Sequence, residues 1–547
     1  MGKIGKFFGN PGSRPSVSQR APMAGENHAA APAPGKKTEN DDVATLEWSS
    51  DESSVGEMGD VNITKKGQIT TSHGFTGLEK DLSDRTLDKV VRYAGTQIVF
   101  FLMWVVLVIW IVIGIVYKAP ENWQVVMQDG QSLQCYFWDT LLMRQQLNSA
   151  HEHINVCALL RSRIKTFKTL SLNRPSSLGS EKSQNGAAAA SYEVDSSFHP
   201  GDGDLPIESW YDRLSTHAGK IIGSLPAIII FWIGIFVWIG CGALPLSTGN
   251  TPPFTGKLEG SNPEYKKFSD LWQLCINTAT AVTLLICTMF LQNIRARHDK
   301  YITKLLSAVF DVDIEIEEHL RSECGDFTTP NEIITIHKIE RSAGEKMIDW
   351  YADVIGTGIG ICIAIAAVGA WIGVGSTMHW NSNWWLIIGT YTGLIGFLDG
   401  FVLRQVYFRI VSHEQDNYSA VAQDDAELFE VLGIHCPDEL FVDHESKAKK
   451  TVSFKISDFI NRICSSQWSV LVSVIIILAL IIIASVLHWS TTGQLIANTP
   501  TMIIEEFFLI VLIQAHNWAD KRRRVDISTL YARRCLLRSH FKGKQIE

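Results

Sequence analysis

Ionisable and amide side chains lie inside long apolar stretches of this 547-residue chain. Each ionisable group there costs about 2.5–3.5 kcal/mol on membrane-insertion scales. The acids and the imidazole are Asp139, Asp399, Glu505, Glu506 and His516. The amides are Asn277, Asn498, Gln292 and Gln514. Because carboxylate, imidazole and carbonyl-type oxygen all bind divalent metals, we take these residues as candidates for an ion path.

Helical geometry sorts the candidates. Glu505 and His516 are three turns apart, so they share a helix face but lie ~16 Å apart along the axis, as successive stations rather than ligands of one ion. Glu505 and Glu506 point about 100° apart, so at most one of them faces a given path. His151 and His153 point to nearly opposite sides of a helix, which is poor geometry for one metal, and we interpret them as a solvated helix end.

Each candidate also has a structural alternative that the sequence leaves open. Asp139 with Arg144, and Asp399 with Arg404, are interpreted equally well as ion pairs. Asparagine and glutamine commonly form interhelical hydrogen bonds in membrane bundles, worth roughly 0.6 to 2 kcal/mol. Glu505 and its acidic neighbour are harder to explain in this way, because no basic residue lies within a dozen positions on either side.

The elements that must position these residues are apolar blocks of about 20 residues, enough to cross a ~30 Å hydrocarbon core. Six blocks are clearly apolar: 96–117, 225–244, 271–291, 355–374, 384–403 and 468–488. Two further blocks, at 131–148 and 501–516, contain more polar residues. They predict an all-α polytopic membrane protein with about eight transmembrane helices in four tandem hairpins. Basic residues follow each hairpin, as at Arg161, Arg295, Arg404 and Lys521, so the positive-inside rule places both termini in the cytosol.

The four hairpins are predicted to be copies of one repeat. Trp272 and Trp385 each lie 20 residues before a glutamine, and hairpins one and three share an aspartate, an arginine and a glutamine at an offset of 260. The motif Q-L-x-x-N-T begins at both Gln273 and Gln494. Repeat-built membrane proteins commonly place a substrate path at the repeat interface near the midplane. A purely structural repeat is the alternative.

Polar segments divide the chain further. We expect a disordered tail at 1–88 and a basic tail at 521–547. The four hairpins are expected at 89–168, 206–300, 347–404 and 456–520. A low-complexity linker at 169–205 and two connectors at 301–346 and 405–455 separate them. Ser49 and Ser54 each precede an acid by three residues and are candidate regulatory phosphosites in a stretch otherwise interpreted as solvated. Tryptophans near block ends, such as Trp238 and Trp384, are interpreted as interface belts.

Several function classes are excluded. No soluble catalytic domain fits in the connectors, so the chain is not expected to be an enzyme. The phosphate-binding loop G-x-x-x-x-G-K-[ST] is absent, and so is the R-E-x-x-E motif of ferroxidase-coupled permeases, so ATP-driven or oxidase-coupled transport has no support. The ten cysteines form no C-x-x-C pair, which argues against a disulfide framework or a thiolate metal cage.

Long strings in the second hairpin carry a family resemblance. The sequences F-S-D-L-W-Q-L-C-I-N-T-A-T at 268–280 and F-L-Q-N-I-R-A-R-H-D at 290–299 resemble the core motif of the low-affinity iron permease family. Segments 231–242, 384–404 and 492–508 are similar to its fungal plasma-membrane members. The resemblance covers nearly the whole chain.

This resemblance implies low-affinity uptake of iron(II) across the plasma membrane, with copper, zinc and cadmium accepted less selectively. Iron(II) is then a transported substrate and no cofactor is bound permanently. The expected partners are divalent metal ions and the lipid bilayer, not nucleic acid. An inside-negative potential supplies about 4.6 kcal/mol per 100 mV to a dication. Two alternatives stay open here: a transporter or channel for another cation, and a membrane scaffold or sensor with structural repeats.

Overall fold

Helices make up nearly all of the chain that the computed structural model describes. The described residues are 12, 14–24, 61–63, 69–71, 73–118, 121–173, 203–243, 268, 270–437, 440–441 and 452–543. The helices are α1 (Leu82–Ala94), α2 (Gln97–Tyr117), α3 (Glu121–Leu172), α4 (Trp210–Ile222), α5 (Leu225–Gly242), α6 (Asp270–Cys324), α7 (Ala343–Ile355), α8 (Gly358–Gly375), α9 (Ser382–Leu432), α10 (Val452–Cys464), α11 (Gln467–Val486) and α12 (Thr491–Gly543). The strands are β1 (Val17–Gln19), β2 (Val61–Ile63), β3 (Ile69–Thr71) and β4 (Ile334–Ile336). Ser49, Ser54 and most of the 169–205 linker lie outside the described residues.

The same three-helix pattern occurs four times along the described chain. An amphipathic helix of 13 residues (α1, α4, α7, α10) comes first. An apolar helix of 18 to 21 residues follows it (α2, α5, α8, α11). The last member has 51 to 55 residues (α3, α6, α9, α12). Each apolar helix begins after a Ser or Thr at the N-cap, and Ser224 and Ser466 accept hydrogen bonds there from backbone N–H groups.

The four long helices form a ring, in which neighbours meet in the order α3, α9, α12, α6. At 1.5 Å per residue each is about 80 Å long, more than twice the thickness of a hydrocarbon core. The apolar helices lie outside this ring and stay largely exposed. Among the described helices, seven are long and apolar enough to cross a membrane: α2, α5, α6, α8, α9, α11 and α12. Helix α3 is more polar but occupies an equivalent place in the ring.

The long helices continue far beyond the predicted spans. No glycine or proline interrupts the sequence from Leu291 to Cys324 or from Arg404 to Leu432, so nothing breaks either helix there. Each ends only where a glycine takes a left-handed conformation, at Gly325 (φ +66°) and Gly433 (φ +65°). The predicted boundaries between hairpin and connector near residues 300 and 404 fall inside continuous helices, so hairpin and connector share one helix there.

The far halves of the long helices pack into a second four-helix bundle. We call residues 146–172, 295–324, 407–432 and 516–543 the extension bundle. Its core is apolar, with Leu305, Val421 and Leu530 fully buried. Charges are buried beside that core: Arg534 contacts Asp313 at 2.7 Å and also pairs with Asp425, and all three side chains are inaccessible to solvent. The bundle therefore contains buried ion pairs that fix how its helices meet.

Part of the segment predicted to be a disordered tail is ordered. Strand β1 pairs antiparallel with β4, with Val17 opposite Ile336. Arg14 donates a hydrogen bond to Asp353 at 2.8 Å, and Ala21 is buried, its N–H donating to the Ser162 hydroxyl. These backbone and charge contacts, which composition does not reveal, hold the segment against the extension bundle.

Stacked tryptophans fasten three of the apolar helices to the long helices that follow them. The pairs are Trp110–Trp123, Trp238–Trp272 and Trp371–Trp384, with ring centroids 3.9, 3.8 and 4.4 Å apart. In each pair both indole N–H groups donate to the backbone carbonyl of the other residue. Trp238 and Trp384 therefore hold neighbouring helices together within the molecule, and their interpretation as interface belts stays a prediction.

These stacks set the register of the repeats. Trp123, Trp272 and Trp384 are each the third residue of their long helix, and the fourth helix has Gly493 at that position. Trp272 is therefore equivalent to Trp384, not to Trp385 as the sequence comparison predicts. The predicted register of the third hairpin is wrong by one residue, because the comparison is anchored on the spacing to Gln405 and not on the tryptophan that stacks.

Candidate functional site

Four leucines, one from each long helix, are buried together between the helices. Each long helix has a leucine 19 residues after its third position. These equivalent residues are Leu142, Leu291, Leu403 and Leu512. All four are buried and line the same cavity. We call them the leucine ring. They meet because the shared register brings the same turn of every helix to the axis at one height.

A small cavity lies on the side of the leucine ring toward the starts of the long helices. Helices α3, α6 and α12 contribute Cys135, Asp139, Thr288 and Glu505 to its polar lining. Helix α9 contributes two glycines and, one residue after its leucine of the ring, Arg404. At 1.5 Å per residue, Asp139 lies about 4.5 Å and Glu505 about 10 Å from the leucine ring along the axis. We call this space the carboxylate cavity.

A glycine in α9 allows the Glu505 carboxylate to reach the axis. A Cβ atom on Gly396 would lie 3.0 Å from Glu505 Oε2, so a larger residue would displace the carboxylate. The Cys135 thiol hydrogen-bonds to Glu505 and accepts a hydrogen bond from Gln131 Nε2 at 2.8 Å. The site therefore contains a carboxylate and a thiol, Glu505 and Cys135, and the carboxylate packs against the backbone of Gly396.

Arg404 also lines the cavity, but the acids there have no ion-pair partner among the described residues. The charged side chains that act on Asp139 are Asp399 and Glu505, and both are acidic. Asp399 acts on Glu505 as well. Uncompensated acids at membrane depth attract a cation. Within the described part of the chain, no group of three His, Cys, Asp or Glu side chains is arranged to hold a metal ion, so the cavity is not a preformed cage.

Asp399 lies beside the carboxylate cavity rather than on its wall. Its Oδ1 accepts a hydrogen bond from the Tyr351 hydroxyl at 2.7 Å. Its Oδ2 is buried and has no hydrogen-bond partner among the described residues. Asp399 therefore acts on the cavity through its charge, from a position anchored to the amphipathic helix α7.

The ion pairs considered as a structural alternative do not form. Arg144 contacts Asp88 at 2.7 Å and Asp84 at 3.2 Å on α1, and not Asp139. Arg404 donates to the side chain of Asn461 and to the carbonyl of Val511. Both predicted pairs are spaced five residues apart, which separates the side chains by about 140° around a helix. Arg144 is held by α1, and Arg404, although it lines the carboxylate cavity, pairs with neither acid.

Glu505 and Glu506 have different surroundings, as their angular separation predicts. Glu505 lines the cavity, whereas Glu506 is absent from its wall. Glu506 is buried and interacts electrostatically with Cys287 of α6. Only Glu505 is placed to meet an ion on the axis.

The predicted asparagine candidates form a second polar level nearer the starts of the long helices. Five residues after the third position, the equivalent residues are Gln128, Asn277, Gly389 and Asn498. We call this level the amide tier. It lies 14 residues, or about 21 Å, from the leucine ring. Asn277 is fully buried, and neither of its side-chain polar atoms has a partner among the described residues.

One acid of this tier was missed from the sequence. Asp129 follows Gln128 directly and is buried. Hydropathy placed the start of the span at residue 131, which excluded Asp129, but α3 begins at Glu121. The cluster of polar residues around it in an uninterrupted helix was the available signal.

The remaining candidates lie on the other side of the leucine ring. The backbone carbonyl of Gln292 packs against Gly95, which follows the last residue of α1. The Cα atom of Gln514 packs against Gly223, which follows the last residue of α4. His516 has Nδ1 2.7 Å from a guanidinium nitrogen of Arg295. That cation opposes the approach of a metal ion. The structure therefore does not bring these three residues together with the carboxylate cavity.

The two histidines of the H-E-H run have different partners in the extension bundle. His153 Nδ1 lies 2.7 Å from the Tyr418 hydroxyl, and His151 Nε2 lies 3.2 Å from Asn155 Nδ2. Burial lowers the pKa of His151 to about 4, with nearby positive charges adding to the effect. Burial also lowers the pKa of His153 well below its usual value. His153 is buried and His151 is half-buried, and both lie inside the continuous helix α3, so the prediction of a helix end there is wrong.

Comparison with known proteins supplies the family context of this site. Residues 345–409 and 454–543 match the model of the low affinity iron permease family. The chain is 58% identical over its full length to a low-affinity Fe(2+) transport protein of Saccharomyces cerevisiae, of which it covers 98%. It is 42% identical over 467 residues to a low-affinity iron/zinc ion transport protein of Schizosaccharomyces pombe, covering 85% of this chain and 74% of that relative. No solved structure matches.

Proposed function

This chain belongs to the low-affinity iron permease family, and we propose that it takes up iron(II), and less selectively zinc, copper and cadmium, across the plasma membrane. The carboxylate cavity carries the proposal. It is a small space on the axis of four helices, lined by Asp139 and Glu505, and the charged groups that act on Asp139 are acidic. A divalent cation neutralises two carboxylates at once.

The proposed topology has eight spans, with both termini in the cytosol. The seven apolar helices support it, together with the place of α3 in the ring. In this orientation the long helices begin at the outer surface, and the extension bundle lies in the cytosol. The amphipathic helices then lie at the inner surface, a position that suits their one-sided apolar faces. The basic residues that follow each hairpin also favour this orientation.

The proposed path runs down the axis of the ring. A metal ion enters between the starts of the long helices, passes the amide tier and reaches the carboxylate cavity. There Asp139 and Glu505 replace part of its hydration shell. The leucine ring next blocks the path, and a constriction of this kind conducts ions only when it widens enough to admit water. The membrane potential supplies about 4.6 kcal/mol per 100 mV for a dication, which draws the ion inward.

The mixed donor set suits low affinity and loose selectivity. Carboxylate, hydroxyl and thiol groups are shared ligands of iron(II), zinc, copper and cadmium, so the donors do not single out one metal. An incomplete site also releases its ion readily, which conduction requires.

The test is uptake of radiolabelled iron(II) by cells that lack their own iron permeases, at matched surface expression. The intact protein is compared with Glu505→Gln and Asp139→Asn, with Glu506→Gln as the neighbouring control. We expect both cavity changes to reduce uptake at least tenfold, which corresponds to about 1.4 kcal/mol. Glu506→Gln should transport nearly normally, because Glu506 does not line the cavity. Full uptake by both cavity variants would show that the path runs elsewhere, and no uptake by the intact protein would refute the proposed function.

A further inference from the structure

Asp129 is a buried carboxylate in helix α3. Its side chain is 4% exposed, and neither of its oxygens has a hydrogen-bond partner among the described residues. No basic side chain of the described chain acts on it either, since its environment is dominated by burial alone. Burying an unpaired carboxylate is expensive, so such a group is retained where a cation compensates it.

The amide side chain of Asn498 lies near Asp129. A Cβ atom on Gly389 would lie 3.1 Å from Asp129 Oδ1 and 3.8 Å from Asn498 Nδ2. The bare backbone of α9 thus lets a carboxylate of α3 and an amide of α12 approach one point. Asn498 Oδ1 is also buried without a partner in the described structure, although its amide nitrogen contacts Met502.

The fourth helix of the ring completes this level. Gln128 Nε2 donates to Thr278 Oγ1 at 3.1 Å, which ties α3 to α6 beside Asp129. Gln128 Oε1 and both polar atoms of Asn277 remain without partners among the described residues. Buried amide groups normally find hydrogen-bond partners, so several unsatisfied ones at one level indicate a site for a ligand.

We propose that Asp129, together with the amide oxygens of Asn277 and Asn498, forms an outer binding site for a divalent metal ion. The inference rests on the proposed function and adds a second station to the path. The outer site lies ten residues, or about 15 Å, before Asp139 on the same helix. One carboxylate with neutral amide oxygens is a hard-donor set that binds iron(II) or zinc weakly. It collects the ion and replaces part of its hydration shell before the carboxylate cavity, so it sets the concentration at which transport saturates.

Uptake kinetics of the full-length protein test this role. Asp129→Asn keeps the shape of the side chain and removes its charge. We expect the KM for iron(II) to rise about tenfold while Vmax stays within about twofold, because only capture is impaired. Asp129→Glu, which retains the carboxylate, should largely preserve KM. An unchanged KM in Asp129→Asn would overturn the outer site.

Thermal unfolding of the purified proteins, with zinc(II) as the probe, gives a readout that needs no transport. Without metal, Asp129→Asn should unfold at the same or a higher temperature than the intact protein, because it removes an unpaired buried charge. Zinc(II) should raise the Tm of the intact protein more than that of Asp129→Asn. Equal zinc shifts, or a lower metal-free Tm in the variant, would overturn the site.

A second variant guards against a failure of Asp129→Asn to fold. Asn498→Asp adds a carboxylate to the same tier and should enlarge the zinc-induced rise in Tm relative to the intact protein. A smaller rise would count against the site. If the intact protein takes up no iron(II), the proposed function fails, whereas the outer site is still decided by these zinc shifts.

Discussion

Buried acids have opposite surroundings in the two halves of the long helices. One half is the extension bundle, and we call the other, which contains the amide tier and the carboxylate cavity, the membrane half. In the bundle, Asp425 forms ion pairs with Arg533, at 2.8 Å, and with Arg534. Arg534 also forms an ion pair with Asp313. In the membrane half, the charged groups that act on Asp139 are other acids. Burial alone therefore does not identify a functional carboxylate in this protein. The presence or absence of an arginine partner is what separates the two sets of acids.

This difference has a physical consequence for mutation. Removing one member of a buried ion pair leaves the other charge uncompensated and costs about 3–5 kcal/mol. Neutralising an unpaired acid removes a charge that only a cation would compensate, so it costs transport rather than stability. The same isosteric change should thus have opposite effects in the two regions.

The largest effect is expected for Asp425→Asn in the extension bundle. It leaves Arg533 and Arg534 buried with one acid fewer, and should destabilise the fold by about 3–5 kcal/mol. The check is the midpoint of thermal unfolding together with the amount of protein at the cell surface. Glu315→Gln is the control, because Glu315 is 47% exposed in its pairs with Arg538 and Lys542, and should cost less than about 1 kcal/mol. Equal stability of the two variants would break the contrast.

Glu505→Gln should show the reverse pattern. Iron(II) uptake should fall at least tenfold. The midpoint of thermal unfolding should stay the same or rise, since no arginine loses its partner. A loss of stability as large as that of Asp425→Asn would show that Glu505 is a structural residue, and the distinction between the regions would then disappear.

The leucine ring separates the two regions, and opening it should give the smallest effect. Leu291→Ala removes one side of the constriction and should raise cation leak several-fold, because a wider apolar neck admits water more readily. Electrical recording of cation currents measures this leak. Leu285→Ala on the same helix is the matched control: it is equally buried but lies outside the ring, and both changes should cost about 2–5 kcal/mol of stability. Equal currents from both variants would remove the ring from the path.

The amino-acid sequence by itself determined the all-α character, the family and much of the candidate site. Apolar blocks long enough to span a bilayer need no tertiary information, and the 100° step of a helix separates Glu505 from Glu506. The long strings around residues 268–299 carried the family resemblance. These features depend on local composition and on the geometry of a single helix.

Only the tertiary structure decided which polar residues meet. Leucine is common in apolar helices, so Leu142 and its three equivalents become a ring only when the helices pack in the order α3, α9, α12, α6. The spacing of Asp139 and Arg144 allowed an ion pair, but helix α1 captures the arginine. Asp129 fell outside the hydropathy block because polar neighbours lowered the local average. In each case the outcome depends on contacts between helices far apart in the chain, which no local pattern encodes.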